Sequence, residues 1–502
     1  MITTLMAMAK ISNEYRKYLT EVLPGEAEAL LDALEHTEPS VSVRINRRKG
    51  GEQCAMVAGG EPVRWCADGV YLDSRREFTL DPAMHQGRYY VQDASSMILW
   101  HIVRRLSEAV IAPGGRHLRY LDACAAPGGK TGAAMAALPD DALVVANEFD
   151  YRRAEILKEN VIKWGKEAVA VSRGDTARFR ALPGWFDIVA ADVPCSGEGM
   201  MRKDPKACEQ WNPYLVEECA TRQREIVENL WCALRPGGYF IYSTCTFNRR
   251  ENEDVMRVLI EELGGELVTV PIEPDWGVIA TESMLRFLPS RVRGEGLAIG
   301  VVRKPIDAAE ASACELDCAT RATASKRLKN ASAKGRANGA GKGGAFFSGK
   351  GAAKGSGGAK GGQPDTAVCR EWLRNGSDYR FTLQADEVRA VAEGYADEMS
   401  QLAATLDLIH CGVAVGTVKG RDIAPAQGLA MSYALNSEYF THFEADLATS
   451  LTYLRRDAPQ GIEAEKGFVL LTHGGYPLGF VKHLGNRSNN LYPQEWRILK
   501  KT

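Results

Sequence analysis

Arg119-Tyr-Leu-Asp-Ala-Cys-Ala-Ala-Pro-Gly-Gly-Lys-Thr131 is the stretch whose reading decides the fold. An apolar run (Arg119–Ala125) ends in a turn built from small residues and paired glycines, and a small-residue helix follows to Leu138. The spacing repeats outward from there. Ala142–Glu148 reads as a second strand and Asp150–Trp164 as a helix; Ala168–Asp175 and Phe186–Pro194 read as strands. A long helix is predicted over roughly Tyr214–Leu234, then a Pro236-Gly-Gly turn and a strand over Tyr239–Thr246. Strand–helix alternation of this kind predicts an α/β fold with a mainly parallel sheet covered by helices on both faces. In such a sheet the ligand lies outside the carboxyl ends of the strands. The quoted turn lacks both the dinucleotide fingerprint and the spacing of a phosphate-binding loop, which argues against a nucleoside triphosphate.

A length of 502 residues suggests about three domains. Residues 1–90 read as a small α+β module, with a helical stretch (Ile11–Leu34) before an alternating strand (Ser40–Asn46), and residues 91–304 as the α/β domain. Residues 305–367 are a linker rich in Gly, Ala and Lys, and residues 368–502 form a further folded unit with a helix over Asp386–Leu402 and β-like runs at Leu408–Val415 and Gly467–Thr472. Apolar residues make up 45% of the chain and charged residues 25%, ordinary for a globular protein. The net charge of −2 hides an asymmetry: Ala319–Pro364 carries ten Lys or Arg and no acid, so the remainder is acidic. A basic tether on an acidic body points to a polyanionic partner. The twelve cysteines are scattered, which fits reduced thiols and a cytoplasmic location, and the Cys314/Cys318 pair has no second pair with which to hold zinc. Met1–Leu23 lacks the apolar centre of a signal peptide, and no apolar run is long enough to span a bilayer, so no membrane partner is expected.

Four positions carry chemistry. The small residues of the turn let a ligand approach the backbone, and the following helix start supplies free N–H donors. Glu148, 26 residues after Asp122, ends the second strand, where an acid can accept from both hydroxyls of a ribose; the plainer reading is a solvated strand-end Glu. Asp175 ends the third strand, where it can take an adenine amino group or simply make a turn. Asp192-Val-Pro-Cys195 ends the fourth strand and Ser243-Thr-Cys245 the fifth, so Asp192, Cys195 and Cys245 should converge on one crevice. A lone free Cys is usually a small buried hydrophobe. Two at neighbouring strand ends, beside an acid and a nucleoside-type ligand, favour chemistry, without saying which thiol attacks.

Together these residues resemble the RNA cytosine-5 methyltransferases of the Nol/Nop/Sun family over roughly residues 10–304. The similarity is carried by Tyr89–Ser95, Asp122–Thr131, Asp192–Gly199 with Met201–Pro205, Tyr242–Asn248 leading to Glu251–Glu253, and Arg291–Gly296. The resemblance implies a Rossmann-like class I methyltransferase domain. It implies S-adenosylmethionine as cofactor, held by Cys124, Ala125, Ala126, Pro127, Gly128, Gly129, Lys130, Glu148, Asp175 and Asp192. It also implies catalysis by Cys245, Cys195 and Asp192, with Cys245 attacking the base and Cys195 assisting release of the product. The need for a thiol is chemical. Carbon 5 of cytosine becomes nucleophilic enough for methylation only after a thiolate adds at carbon 6, and an acid near ring N3 and the exocyclic amine stabilises the charge shift.

Pro477–Lys482 with Asn490–Arg497 is similar to the tail of the bacterial branch that acts on 16S ribosomal RNA, which implies a C-terminal PUA-like RNA-binding domain. The expected partner is then 16S ribosomal RNA or the small ribosomal subunit, bound by a monomer. The basic linker can neutralise phosphates; Lys482, Lys500 and Lys501 add charge, and Tyr492 and Trp496 offer rings to bases. Three other readings remain. One is a transfer-RNA cytosine-5 methyltransferase. The second is a DNA cytosine methyltransferase with Cys195 as nucleophile, against which the second thiol speaks. The last is a non-catalytic ribosome-assembly factor, against which both intact thiols speak. A small-molecule methyltransferase is disfavoured by the appended domains.

Overall fold

The computed structural model describes residues 11–110, 115–306, 366–420 and 422–500. The basic stretch, Cys314, Cys318 and Lys501 lie outside those residues.

The N-terminal module begins with α1 (Asn13–Val22), whose cap residue Ser12 accepts from the Tyr15 N–H at 3.1 Å, and α2 (Ala27–His36). An antiparallel sheet follows: β1 (Val41–Ile45), β2 (Glu61–Pro62), β3 (Gly69–Leu72) and, after α3 (Pro82–His85), β4 (Tyr89–Val91), in the order β2-β3-β1-β4. The alternation in β1 sorts its faces. Val43 and Ile45 enter the module's own core, whereas the buried Ser42 and Arg44 bond to the backbone oxygen and the side chain of Gln92.

After α4 (Ile98–Ala109) come β5 (Arg119–Asp122), α5 (Gly129–Ala137), β6 (Leu143–Glu148), α6 (Tyr151–Trp164), β7 (Val169–Arg173), β8 (Phe186–Asp192), α7 (Pro205–Gln210), α8 (Pro213–Ala233), β9 (Leu234–Thr244) and α9 (Glu253–Arg257). The sheet is closed on one side by β10 (Glu266–Leu267), β11 (Ile279–Ala280), β12 (Leu285–Phe287) and β13 (Leu297–Arg303). Strands β9-β8-β5-β6-β7 are parallel, and the strand order reverses between β5 and β8. Consecutive strand residues feed opposite cores: Val144 and Ala146 pack with α4, α5 and α6, and Leu143 and Val145 pack with α8. Burial on both faces explains why these strands read as continuous apolar runs. The expected Pro236-Gly-Gly turn is instead a bulge inside β9, whose register against β8 shifts between Phe186 and Ile188.

The C-terminal segment holds β14 (Tyr379–Gln384), β15 (Glu387–Ala392), β16 (Asp407–Cys411), β17 (Val413–Lys419) and β18 (Asp422–Pro425). Its last sheet consists of β19 (Thr441–Glu444), β20 (Gly467–His473), β21 (Tyr476–His483) and β22 (Ser488–Asn490). The helix expected over Asp386–Leu402 is divided. Glu387–Ala392 forms a hairpin with β14 through a two-residue loop in which Ala385 has φ +53°, and only Ala396–Thr405 is helical. β16 leaves the C-terminal sheets altogether and pairs antiparallel with β7, completing the edge of the ten-stranded central sheet. The helix Ala396–Thr405 buries Met399 and Leu402 in the same core as α8.

The structure corrects the reading of Tyr492 and Trp496 as base-stacking rings. Tyr492 is fully buried and Trp496 nearly so, packed edge-on to each other and to Tyr453 in the core of the last sheet. Rings that fill a core offer no face to a base.

Candidate active site

The residues singled out in the sequence gather at the carboxyl ends of the parallel strands, around the point where strand order reverses. Asp122 closes β5 and is buried; it accepts from the Thr131 hydroxyl at 2.7 Å, and burial pushes its pKa up to about 7. Glu148 closes β6. It is also buried, accepts from the Asp150 N–H at 2.9 Å, and lies 3.6 Å from the Arg153 guanidinium. Arg153 also donates to the Ala126 carbonyl at 2.7 Å, tying the acid to the turn. Asp175 is exposed beyond β7 and accepts from the Ala177 N–H at 2.8 Å.

The turn from Cys124 to Lys130 is held by its backbone. The Ala125 N–H donates to the Asn147 carbonyl at 2.9 Å, and Asn160 donates to the Pro127 carbonyl at 2.8 Å. Gly128 has φ +111°, a conformation open to glycine, and a Cβ on Gly129 would stand 3.1 Å from the Tyr90 ring. Burial raises the Cys124 thiol pKa.

Parallel pairing places Asp192 opposite Ser243, so the Cys195 loop and Cys245 leave the sheet side by side. The two sulfurs are 3.2 Å apart. The hydrogen bond it shares with Cys245, burial, and the negative fields of Cys245 and Glu251 all push the Cys195 thiol up, so it is held as a neutral thiol that donates to Cys245. Asp192 accepts from the Ser243 hydroxyl at 2.9 Å and from the Lys130 ammonium at 2.8 Å. Burial works against the Lys130 charge; the ion pair and hydrogen bond with Asp192, with smaller contributions from Cys245 and Asp93, outweigh it and raise its pKa. Lys130, the one charged side chain of the turn, therefore ties the turn to the acid.

Two buried carboxylates that the sequence did not single out as site residues fasten the thiol loops together. Glu198, three residues after Cys195, accepts from the Phe247 and Asn248 N–H groups at 2.6 and 3.1 Å and from the Trp211 indole at 3.2 Å. Glu251, beyond Cys245, accepts in the other direction from the Ser196 N–H at 2.9 Å and from Gln223 at 2.8 Å. Asn248 donates to both, at 3.0 Å to Glu198 and 2.7 Å to Glu251. The available signal was two acids at fixed offsets from the two thiols. Phe149, directly after Glu148 at the carboxyl end of β6, is 73% exposed.

A family model described as 16S rRNA methyltransferase RsmB/F matches residues 110–303. Two more match the flanks: the N-terminal domain of 16S rRNA methyltransferase RsmF at residues 11–94 and the methyltransferase RsmF PUA domain at residues 440–498. Residues 110–303 belong to the RsmB/F family of methyltransferases. A relative, the ribosomal RNA small subunit methyltransferase F of Enterobacter sp. (strain 638), is 29% identical over 86% of this chain and 83% of its own length. The protein of the same name from Escherichia coli O7:K1 is 36% identical over 48% of this chain and 51% of its own length. The crystal structure of PH0851 shares the fold, with a TM-score of 0.52 at 22% identity over 59% of this chain and 66% of that one.

S-adenosylmethionine is the cofactor of this chain. The crevice fits it: small side chains line the turn, the first N–H groups of α5 have no acceptor within the helix, and carboxylates stand at three strand ends. Among the described residues no helix is long and apolar enough to cross a membrane, and no cluster of three or more His, Cys, Asp or Glu could hold a metal.

Proposed function

We propose that the protein methylates carbon 5 of a cytosine in RNA, with 16S ribosomal RNA as substrate, Cys245 as nucleophile and Cys195 as the thiol that assists product release. The observation that carries the reading is the pair of sulfurs 3.2 Å apart beside the Lys130-bound Asp192, where sheet order reverses. The family models over the N-terminal module, the catalytic domain and the PUA domain support the choice of RNA.

The Cys245 thiolate forms a bond to carbon 6, and the ring electrons pass to carbon 5. Cofactor bound by Cys124–Lys130, Glu148 and Asp175 supplies an electrophilic methyl group. Asp192 keeps acceptor capacity on both oxygens and lies where it can hold the exocyclic amine and balance charge at N3. Loss of the carbon-5 proton to water returns the electrons, breaks the bond from sulfur to carbon 6 and frees Cys245 as a thiolate, whose departure the neutral Cys195 assists by donating a hydrogen bond to its sulfur. Residues 1–90 and 368–502 serve as RNA-binding parts flanking the catalytic domain at 91–304, in a cytoplasmic monomer.

Bisulfite sequencing of ribosomal and transfer RNA, with and without the protein, tests the activity. A 16S cytosine should lose protection when the protein is absent; no change at any RNA cytosine would refute the proposal, and a change at a transfer-RNA cytosine would move the substrate. Cys245→Ala should abolish transfer, and Cys195→Ala should leave a covalent RNA–protein band on denaturing gels. The opposite pattern would make Cys195 the nucleophile.

A further inference from the structure

A cleft of about 330 Å³, away from the methyl-transfer crevice, opens where three parts of the chain meet. Arg48 and Lys49 come from the loop after β1 and Arg88 from just before β4. Arg374 follows the helix Ala367–Glu371, Tyr433 follows the helix Gln427–Met431, and Tyr476 opens β21. Three arginines and Lys49, whose pKa burial lowers to about 7, line it with no carboxylate. On a chain of net charge −2, that is a strong local bias.

The cations are held in place by aromatic rings. The Arg88 guanidinium lies 3.7 Å from the Tyr476 ring centre and that of Arg48 lies 4.3 Å from Tyr433. Arg88 is only 6% exposed. Its Nε and Nη2 donate to the Lys49 and Gly50 carbonyls at 3.0 and 2.7 Å, and among the described residues Nη1 donates to no protein group. A nearly buried guanidinium with no carboxylate partner is costly unless an anion meets it. Lys49 forms the floor, donating to the Gln86 and Lys163 carbonyls at 3.0 and 2.6 Å. Arg374 is exposed, and among the described residues its guanidinium has no hydrogen bond or ion pair. Arg48 meets Asp140 at 2.7 Å, but both side chains are half exposed or more, so that pair competes weakly with a stronger anion.

The walls cannot easily part. Tyr433 donates to Asn46 at 3.1 Å, and Asn46 donates in turn to the Gly87 and Trp164 carbonyls, both at 3.0 Å. Gln86 donates to the His473 and Tyr476 carbonyls at 2.9 and 2.8 Å. Arginine forks between rings, in a preformed cleft, suit a phosphodiester with a base beside it. The cleft sits at the Trp164 end of α6 and the cofactor crevice at the Tyr151 end, so the two are separated by about 20 Å of helix.

We propose that this cleft holds a backbone phosphate of the RNA substrate, setting the strand's register for the distant crevice; the inference rests on the RNA reading above. Such an interaction strengthens binding without touching the reacting atoms, so its removal raises KM and spares kcat.

The test uses the full chain and 16S ribosomal RNA transcribed in vitro, with binding measured over a salt series. Arg48→Ala with Arg374→Ala should weaken binding about ten-fold and lower the slope of log affinity against log salt by about 1 for each phosphate no longer neutralised. KM should rise in step while kcat, cofactor affinity and melting temperature stay at wild-type values, and Arg374→Lys should keep the slope. Wild-type affinity and slope in the double variant would overturn the proposal. So would inorganic phosphate binding that depends on these arginines while RNA affinity does not, since that would mark a site for a free anion. Failure of the RNA reading looks different: wild-type protein would then methylate no RNA at all.

Discussion

At the residue scale the proposed catalytic pair depends on groups that never meet substrate. Glu198 accepts from two backbone N–H groups and the side chains of Asn248 and Trp211; the Asn248 amide keeps Glu251 as an acceptor, so Glu198→Ala leaves three buried donors unmatched. At about 1–3 kcal/mol for each unmatched group, partly relieved by water, the variant should lose at least about 3 kcal/mol in urea unfolding and most of its activity. Near-wild-type stability would show that the two thiol loops hold without it. Asp122 gives a prediction with a sign. Burial lifts its carboxyl to about 7, well above the ordinary range, so the folded protein binds the extra proton. The stability associated with that proton is fully present below about pH 4 and is lost as pH rises through about 7. Asp122→Asn, which copies the protonated acid and can still accept from Thr131, should match wild type near pH 4 and exceed it above pH 7. A gap between the two that does not change with pH would contradict this.

At the scale of elements, α5 is fitted to the strand that crosses behind it. A Cβ on Gly132 would stand 2.3 Å from Nη2 of Arg44. Arg44 is fully buried and has little room to retreat: Nε donates to Gln92 at 2.9 Å and the guanidinium lies 4.2 Å from the Trp164 ring centre. Helix propensity alone would make Gly132→Ala stabilising by about 1 kcal/mol. The overlap should reverse the sign and cost about 1–3 kcal/mol in denaturant unfolding. A variant more stable than wild type would mean that Arg44 can swing aside. The same packing shows the limit of local patterning. Arg44 sits in an alternating strand that reads as half exposed, but the face that looks polar is pressed against the catalytic domain.

At the scale of the whole molecule, the C-terminal segment is part of the catalytic sheet. β16 covers the β7 edge, and Met399, Leu402 and Leu406 share a core with Val145 and Leu230. Leu402→Ala lies far along the chain from the cofactor turn, yet it should lower stability by about 2–5 kcal/mol. The loss of cofactor binding and the loss of secondary structure on heating should shift down together. A cofactor-binding transition that stays in place would show that the segment unfolds on its own.

The sequence by itself determined the parallel sheet and the placement of three acids and two thiols at its strand ends, because strand–helix alternation and strand-end chemistry are local patterns, and its motifs carried the family resemblance. It could not rank Cys195 and Cys245, since both thiols follow from the same rule; the family resemblance supplied that choice. Only the tertiary structure decided the rest. The Glu198 and Glu251 clamps, the β16 edge, the burial of Tyr492 and Trp496 and the arginine-lined cleft all join residues distant in sequence. An aromatic or acidic residue type states what a side chain can do, and packing against a remote partner decides whether it faces a core, a ligand or water.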